Sequence, residues 1–82
     1  MESLQKPSVG RIVHYVSYGT PGGEYLPEHR AAIITNIGTT GEDGRTVVGL
    51  CVLNPTGMFF NLIVNQDEVE KKSGTWHWPE RV

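Results

Sequence analysis

Thr46-Val47-Val48-Gly49-Leu50-Cys51-Val52-Leu53 is followed by Asn54-Pro55-Thr56-Gly57, and then by Met58-Phe59-Phe60-Asn61-Leu62-Ile63-Val64. Two apolar runs of strand length flank four residues with the composition of a tight β-turn, proline in second place. This reads as a β-hairpin, the third and fourth strands of a small sheet. If Asn61 faces solvent, Phe60, Leu62 and Val64 face inward. Upstream, Gly38-Thr39-Thr40-Gly41-Glu42-Asp43-Gly44 is a second hairpin loop. It leads back to strand two at 30–37, where Ala31-Ala32-Ile33-Ile34 is nearly continuously apolar, as for a strand buried on both faces.

Strand one reads at 9–17, with Ile12, His14 and Val16 on one side and Arg11, Val13 and Tyr15 on the other. The segment 18–29 holds Gly19, Gly22, Gly23, Pro21 and Pro27, which excludes regular structure, and a loop of that length marks a functional segment. Downstream, 66–72 has helical character for about two turns, with Gly74 as its stop. The segment 75–78 is strand five. The order is strand, long loop, strand, hairpin, strand, tight turn, strand, short helical turn, strand. It predicts an all-β fold: a small five-stranded SH3-like antiparallel barrel, whose closure limits exposed edges. An open five-stranded sheet pairing edge to edge in an oligomer is the alternative.

The chain has 82 residues, with ten glycines and five prolines. That is one small domain, 9–82, preceded by a flexible polar arm at 1–8. So small a core leans on oligomerisation, metals or disulfides. Cys51 is the single cysteine, so no internal disulfide forms, and its apolar neighbours make it a small buried hydrophobe. No signal peptide or membrane-spanning run is read. A net charge of −2 argues against a binder of long nucleic acid. Arg11, Arg30 and Arg45 can still form a local positive spot, while Asp67–Glu70 with Lys71 and Lys72 reads as a solvated turn.

The chain ends Gly74-Thr75-Trp76-His77-Trp78-Pro79-Glu80-Arg81-Val82. Alternation puts Trp76 and Trp78 on one face and His77 on the other, so the two rings either fill the core or form a stacking platform. Together with Val9-Gly10-Arg11-Ile12-Val13-His14-Tyr15, Tyr18-Gly19-Thr20-Pro21-Gly22-Gly23-Glu24-Tyr25, Arg30-Ala31-Ala32-Ile33 and Val52-Leu53-Asn54-Pro55-Thr56-Gly57, this ending resembles a family of short proteins of bacteriophages and actinobacteria, most of them uncharacterised. The resemblance spans 9–82. It implies a phage-linked context in the host bacterial cytoplasm and no assigned chemistry. A looser resemblance is to the SH3-like barrels of plasmid toxin endoribonucleases, where Arg-Pro-Ala-(Val/Ile) opens strand two. Here Ala31 replaces the proline.

Candidate site residues follow. Glycine-loop amides at Gly22 and Gly23, with Arg30, suit phosphate. Tyr18, Trp76 or Trp78 would stack a base, and His77 or Asn54 would read its edge. For Arg30 the alternative is a structural pair with Glu24 or Glu28. His14, His29 and His77 show no ligand spacing in sequence, and no Asp or second Cys completes a set, so neither metal nor cofactor is expected. Glu24, Glu28 and His29 share the long loop as acid/base candidates, but no nucleophile sits in a recognisable elbow. The expectation is a non-enzymatic, homo-oligomeric binding protein, a sponge for a nucleotide-derived immune signal of the host. The rivals are a protein-interaction module or minor virion protein, and a toxin-like endoribonuclease.

Overall fold

The computed structural model describes residues 5–19 and 27–80. Five strands run β1 Ile12–Val16, β2 His29–Thr40, β3 Thr46–Asn54, β4 Gly57–Gln66 and β5 Thr75–His77. The sequence order carries over into space, because β1–β2, β2–β3 and β3–β4 are antiparallel neighbours. The three-residue β5 then closes the ring. It pairs antiparallel with β1 through His14↔His77 and Tyr15↔Trp76, and parallel with β4 through Asn65↔Thr75 and Gln66↔Trp76. The all-β class is observed. The sheet is mixed, which corrects the expectation of antiparallel pairing throughout.

The expected helical turn at 66–72 is also corrected, and there is no helix among the described residues. Gln66 ends β4 instead. The Asp67 carboxylate then gathers the backbone amides that a helix would have used: Val69 and Glu70 donate to Oδ1 at 3.2 and 3.0 Å, and Lys72 to Oδ2 at 3.2 Å. A short acidic side chain that bonds the backbone beyond it competes with helix formation. Gly74, at φ +83°, re-aims the chain into β5, where a Cβ would fall within 2.7 Å of Tyr18 Cζ.

The core holds Val13 and Tyr15 from β1, Ala32 and Ile34 from β2, Val48, Leu50 and Val52 from β3, Val64 from β4 and Trp76 from β5. Trp76 is fully enclosed, and its indole N–H donates to Thr46 O at 2.9 Å. This is the core role of the two weighed for the ring. β2 is buried on one face only: Ala32 and Ile34 are enclosed, while Ala31 is exposed. Shifts of register between Ile34 and Asn36, and between Ile37 and Thr40, bend this strand and carry it past the predicted turn at Gly38.

β4 corrects a further expectation. Phe60 and Leu62 are exposed and only Val64 of the three is enclosed. Phe59, itself still 38% exposed, packs edge-to-face on Tyr15 with ring centroids 5.9 Å apart. A bulge opposite Gly49 inserts itself between the pairs Leu50↔Asn61 and Val48↔Val64. It reverses the inside–outside parity part-way along the strand. Gln5, Lys6 and Pro7 of the arm line a cavity together with Ile37, Thr40, Gly44 and Thr46. No helix among the described residues is long and apolar enough to cross a membrane.

Candidate metal centre

His14 and His77 face each other across β1 and β5, and His29 opens β2 opposite Val16. Directly paired residues share a face, and residues two apart on a strand share it too. The three imidazoles therefore stand in one group on the outer side of β2, β1 and β5. Trp76, one residue from His77, points into the core. Ring centroids lie 4.8 Å apart for His29 and His77, 5.6 Å for His14 and His77, and 6.3 Å for His14 and His29.

The C-terminal segment brings a fourth group. The backbone N–H of Trp78 donates to Glu68 Oε2 at 2.9 Å, and Arg11 lies over the Trp78 ring, 4.9 Å from its centroid. Thus anchored, the chain passes Pro79 and sets Glu80 among the histidines. Glu80 Oε1 is 3.0 Å from His14 Nδ1, 3.1 Å from His29 Nδ1 and 3.0 Å from His77 Nε2. All four ligand atoms lie within 4.8 Å of one another.

One carboxylate oxygen has about two lone-pair positions, so it cannot serve three imidazole N–H donors well. Oε2 receives none among the described residues. Four Lewis bases converging on one point from three strands and a tail is the arrangement that a cation requires. Around a tetrahedral zinc ion such atoms stand about 3.3 Å apart, so a modest contraction completes the set. His14, His29 and Glu80 are partly exposed. His77 is fully enclosed and fixes the origin of the site.

The electrostatics favour the metal-binding protonation state. Burial lowers the pKa of His77, against the opposing pull of Glu80, which holds the ring toward its neutral form. Hydrogen bonds from His77 foremost, then His29 and His14, hold Glu80 well below the usual carboxylate range. Both groups are thus biased toward the unprotonated state in which they ligate. His77 Nδ1 is buried without a hydrogen-bond partner, so hydrogen bonds within the cluster do not satisfy this ring.

The residues singled out from sequence are scattered. Gly22 and Gly23, with Glu24, lie outside the described residues. Trp76 offers no surface to a ligand, because the core encloses it. Trp78 is half-buried, edge-to-face on Trp76 at 5.4 Å. Of the three rings expected to stack a base, Tyr18 is the one freely exposed. Arg30 lies opposite Tyr15, its Nε buried without a partner among the described residues. Asn54 faces Gly57 at the β3–β4 turn, on strands that do not border β1. His77 alone of the set sits in the cluster. Sequence spacing missed His14 and His29 as its partners, because the β1–β5 and β1–β2 pairings make them neighbours; Glu80, three residues beyond His77, was near in sequence but was not read as a ligand. The available signal was the Trp-His-Trp alternation, which turns His77 away from the core. The chain matches no protein-family model, and comparison with curated proteins and with solved structures finds no match.

Proposed function

We propose that the protein binds one divalent transition-metal ion per chain, of the zinc type, through His14, His29, His77 and Glu80. The observation that carries this reading is the convergence of three imidazole nitrogens on a single carboxylate oxygen, at 3.0–3.1 Å. Imidazole and carboxylate donors suit zinc and its first-row neighbours rather than calcium or magnesium. Four protein ligands make a closed set, which is the pattern of a structural rather than a catalytic ion.

The ion would act as a clasp. It ties β1, β2, the short β5 and the C-terminal segment to one point, at the place where the ring closes. β5 has only three residues with which to hold that closure. A small domain with a single cysteine has no disulfide to do the same work. Metal binding is therefore coupled to the completeness of the fold.

The test is titration of chelator-treated protein with Zn²⁺, followed by calorimetry and thermal unfolding. Co²⁺ serves as the spectroscopic probe. One ion per chain is expected, with the visible absorption of tetrahedral cobalt. At a hundredfold excess over Kd, stabilisation should be about 2.7 kcal/mol. The double variant His14→Ala/His29→Ala, altered at two partly exposed positions, should fold and lose the cobalt spectrum. No stoichiometric binding, or binding unchanged in that variant, would overturn the reading.

A further inference from the structure

β4 is open along most of one edge. Its residues from Gly57 to Val64 pair with β3 on one side, while β5 reaches β4 only at Asn65 and Gln66. Over the stretch 57–63 the second row of main-chain N–H and C=O groups meets no strand among the described residues. The side chains there are apolar and exposed: Met58 64%, Phe60 64%, Leu62 75% and Ile63 75%. Leu53, across from Met58, is exposed as well.

Edges of this kind are ordinarily blunted by lysine, proline, inward charge, a bulge or short length, and β4 carries one bulge, at its far end. β4 is ten residues long and has none of the first three. From Thr46 to Gln66, both strands and their turn contain no charged residue, in a chain that is 20% charged. No charge on this surface would complement a charged partner, and none would repel an identical copy.

We propose that this edge of β4 pairs antiparallel with the same edge of a second copy, forming a two-fold dimer. An isologous contact sets each chain's 57–63 against itself in reverse, so the open main-chain groups of both copies are satisfied at once, apart from the Ile63 N–H, which donates to Asn61 Oδ1 at 3.4 Å. The exposed parts of Met58, Phe60, Leu62 and Ile63 come to on the order of 500 Å² per copy. With all of it covered, a symmetric pair buries about 1,000 Å², the lower bound for a specific interface and the range of a concentration-dependent dimer. The bulge leaves Leu62 and Ile63 both exposed, so they add to the apolar surface that Met58 and Phe60 bring to the contact. This interface is independent of the histidine cluster, which stands on other strands.

The experiment is light scattering on a sizing column, with native mass spectrometry, over a range of protein concentrations. The wild type should run at twice its 9.1 kDa mass. Phe60→Glu and Leu62→Lys, each at an exposed position, should run at the monomer mass with an unchanged circular dichroism spectrum. Amide exchange at 58–63 should be slow in the wild type and fast in either variant. A wild type that remains monomeric at high micromolar concentration overturns the proposal, whether the surface then takes up lipid vesicles or a different protein. A dimer that survives both substitutions overturns it equally, because it must use another face. Cobalt binding by the two variants reports on the metal centre separately.

Discussion

The histidine corner and the β3–β4 hairpin are opposites in construction. The corner draws His14, His29, His77 and Glu80 from three strands and a tail, and these are polar residues around one enclosed ring. The hairpin is a single uncharged stretch closed by its own tight turn, Asn54↔Gly57. Its apolar outer side chains face solvent. Polar chemistry depends here on ring closure, which brings distant residues together. The apolar surface is set by the pairing of β3 with β4, in which β5 takes no part. The two regions should therefore respond differently to the same insult.

The sharpest break is Trp76→Ala. Trp76 fills the core and links β5 to β3 through Thr46. Its loss should cost about 3–5 kcal/mol, a large share of the stability of a domain this size. Urea unfolding measures it. The expectation for the comparison is that metal binding disappears with the closure.

Next comes His77→Ala against His29→Ala, with the metal-free stability of each measured in parallel. His77 is rigid and enclosed, and His29 is exposed. Removing the enclosed ligand should weaken zinc binding by more than the roughly 10–100-fold that outer-shell partners carry, and removing the exposed one by less. Equal losses by calorimetry would mean that His77 does not anchor the site.

Asp67→Asn is smaller and carries a pH signature. The amides of Glu70, first, and of Lys72, Lys71 and Val69 lower the Asp67 pKa to about 2, while burial opposes them. Its folded pKa lies below the unfolded value, so the unfolded chain takes up the proton first as pH falls. The stabilisation is complete above the ordinary carboxylate range and is lost as pH falls through about 2. The wild type should be the more stable protein near neutrality. Thermal midpoints of the two should converge through that acid window, and a gap that persists there would sink this account.

Smallest is Phe60→Ser, measured in protein diluted until light scattering gives the monomer mass. An exposed ring away from any special backbone feature should change stability by no more than about 0.5 kcal/mol. A large loss would show that Phe60 supports the monomer's core, and the contrast between hairpin and corner would weaken.

Legibility followed the same division. Pro55 between Asn54 and Gly57 marked the tight turn, and the flanking runs marked β3 and β4, because turn chemistry and strand propensity act over a few residues. Phe60 was misassigned to the interior, because a bulge reverses parity and leaves no local mark in Leu62-Ile63. The segment after Gln66 resembled a helix because its charges are spaced like one, but the Asp67 carboxylate captured the amides. Trp76 was read as a filler of the core or a platform, and only its enclosure decided between the two. Among the histidines, spacing along the chain carried no information about distance in space.

Composition and local pattern by themselves determined that this is one small all-β domain without an internal disulfide, with a hairpin turning at Asn54–Gly57 and Trp76 facing away from His77. These are consequences of short-range sterics and of the two-residue period of a strand. The tertiary structure alone decided that β5 closes the ring on β1 and β4, that the β4 bulge turns Phe60 outward, and that Glu80 meets three histidines at one point. Each of those depends on pairing between segments far apart in the chain, whose register is set by the packing of the whole core rather than by the residues that it brings together.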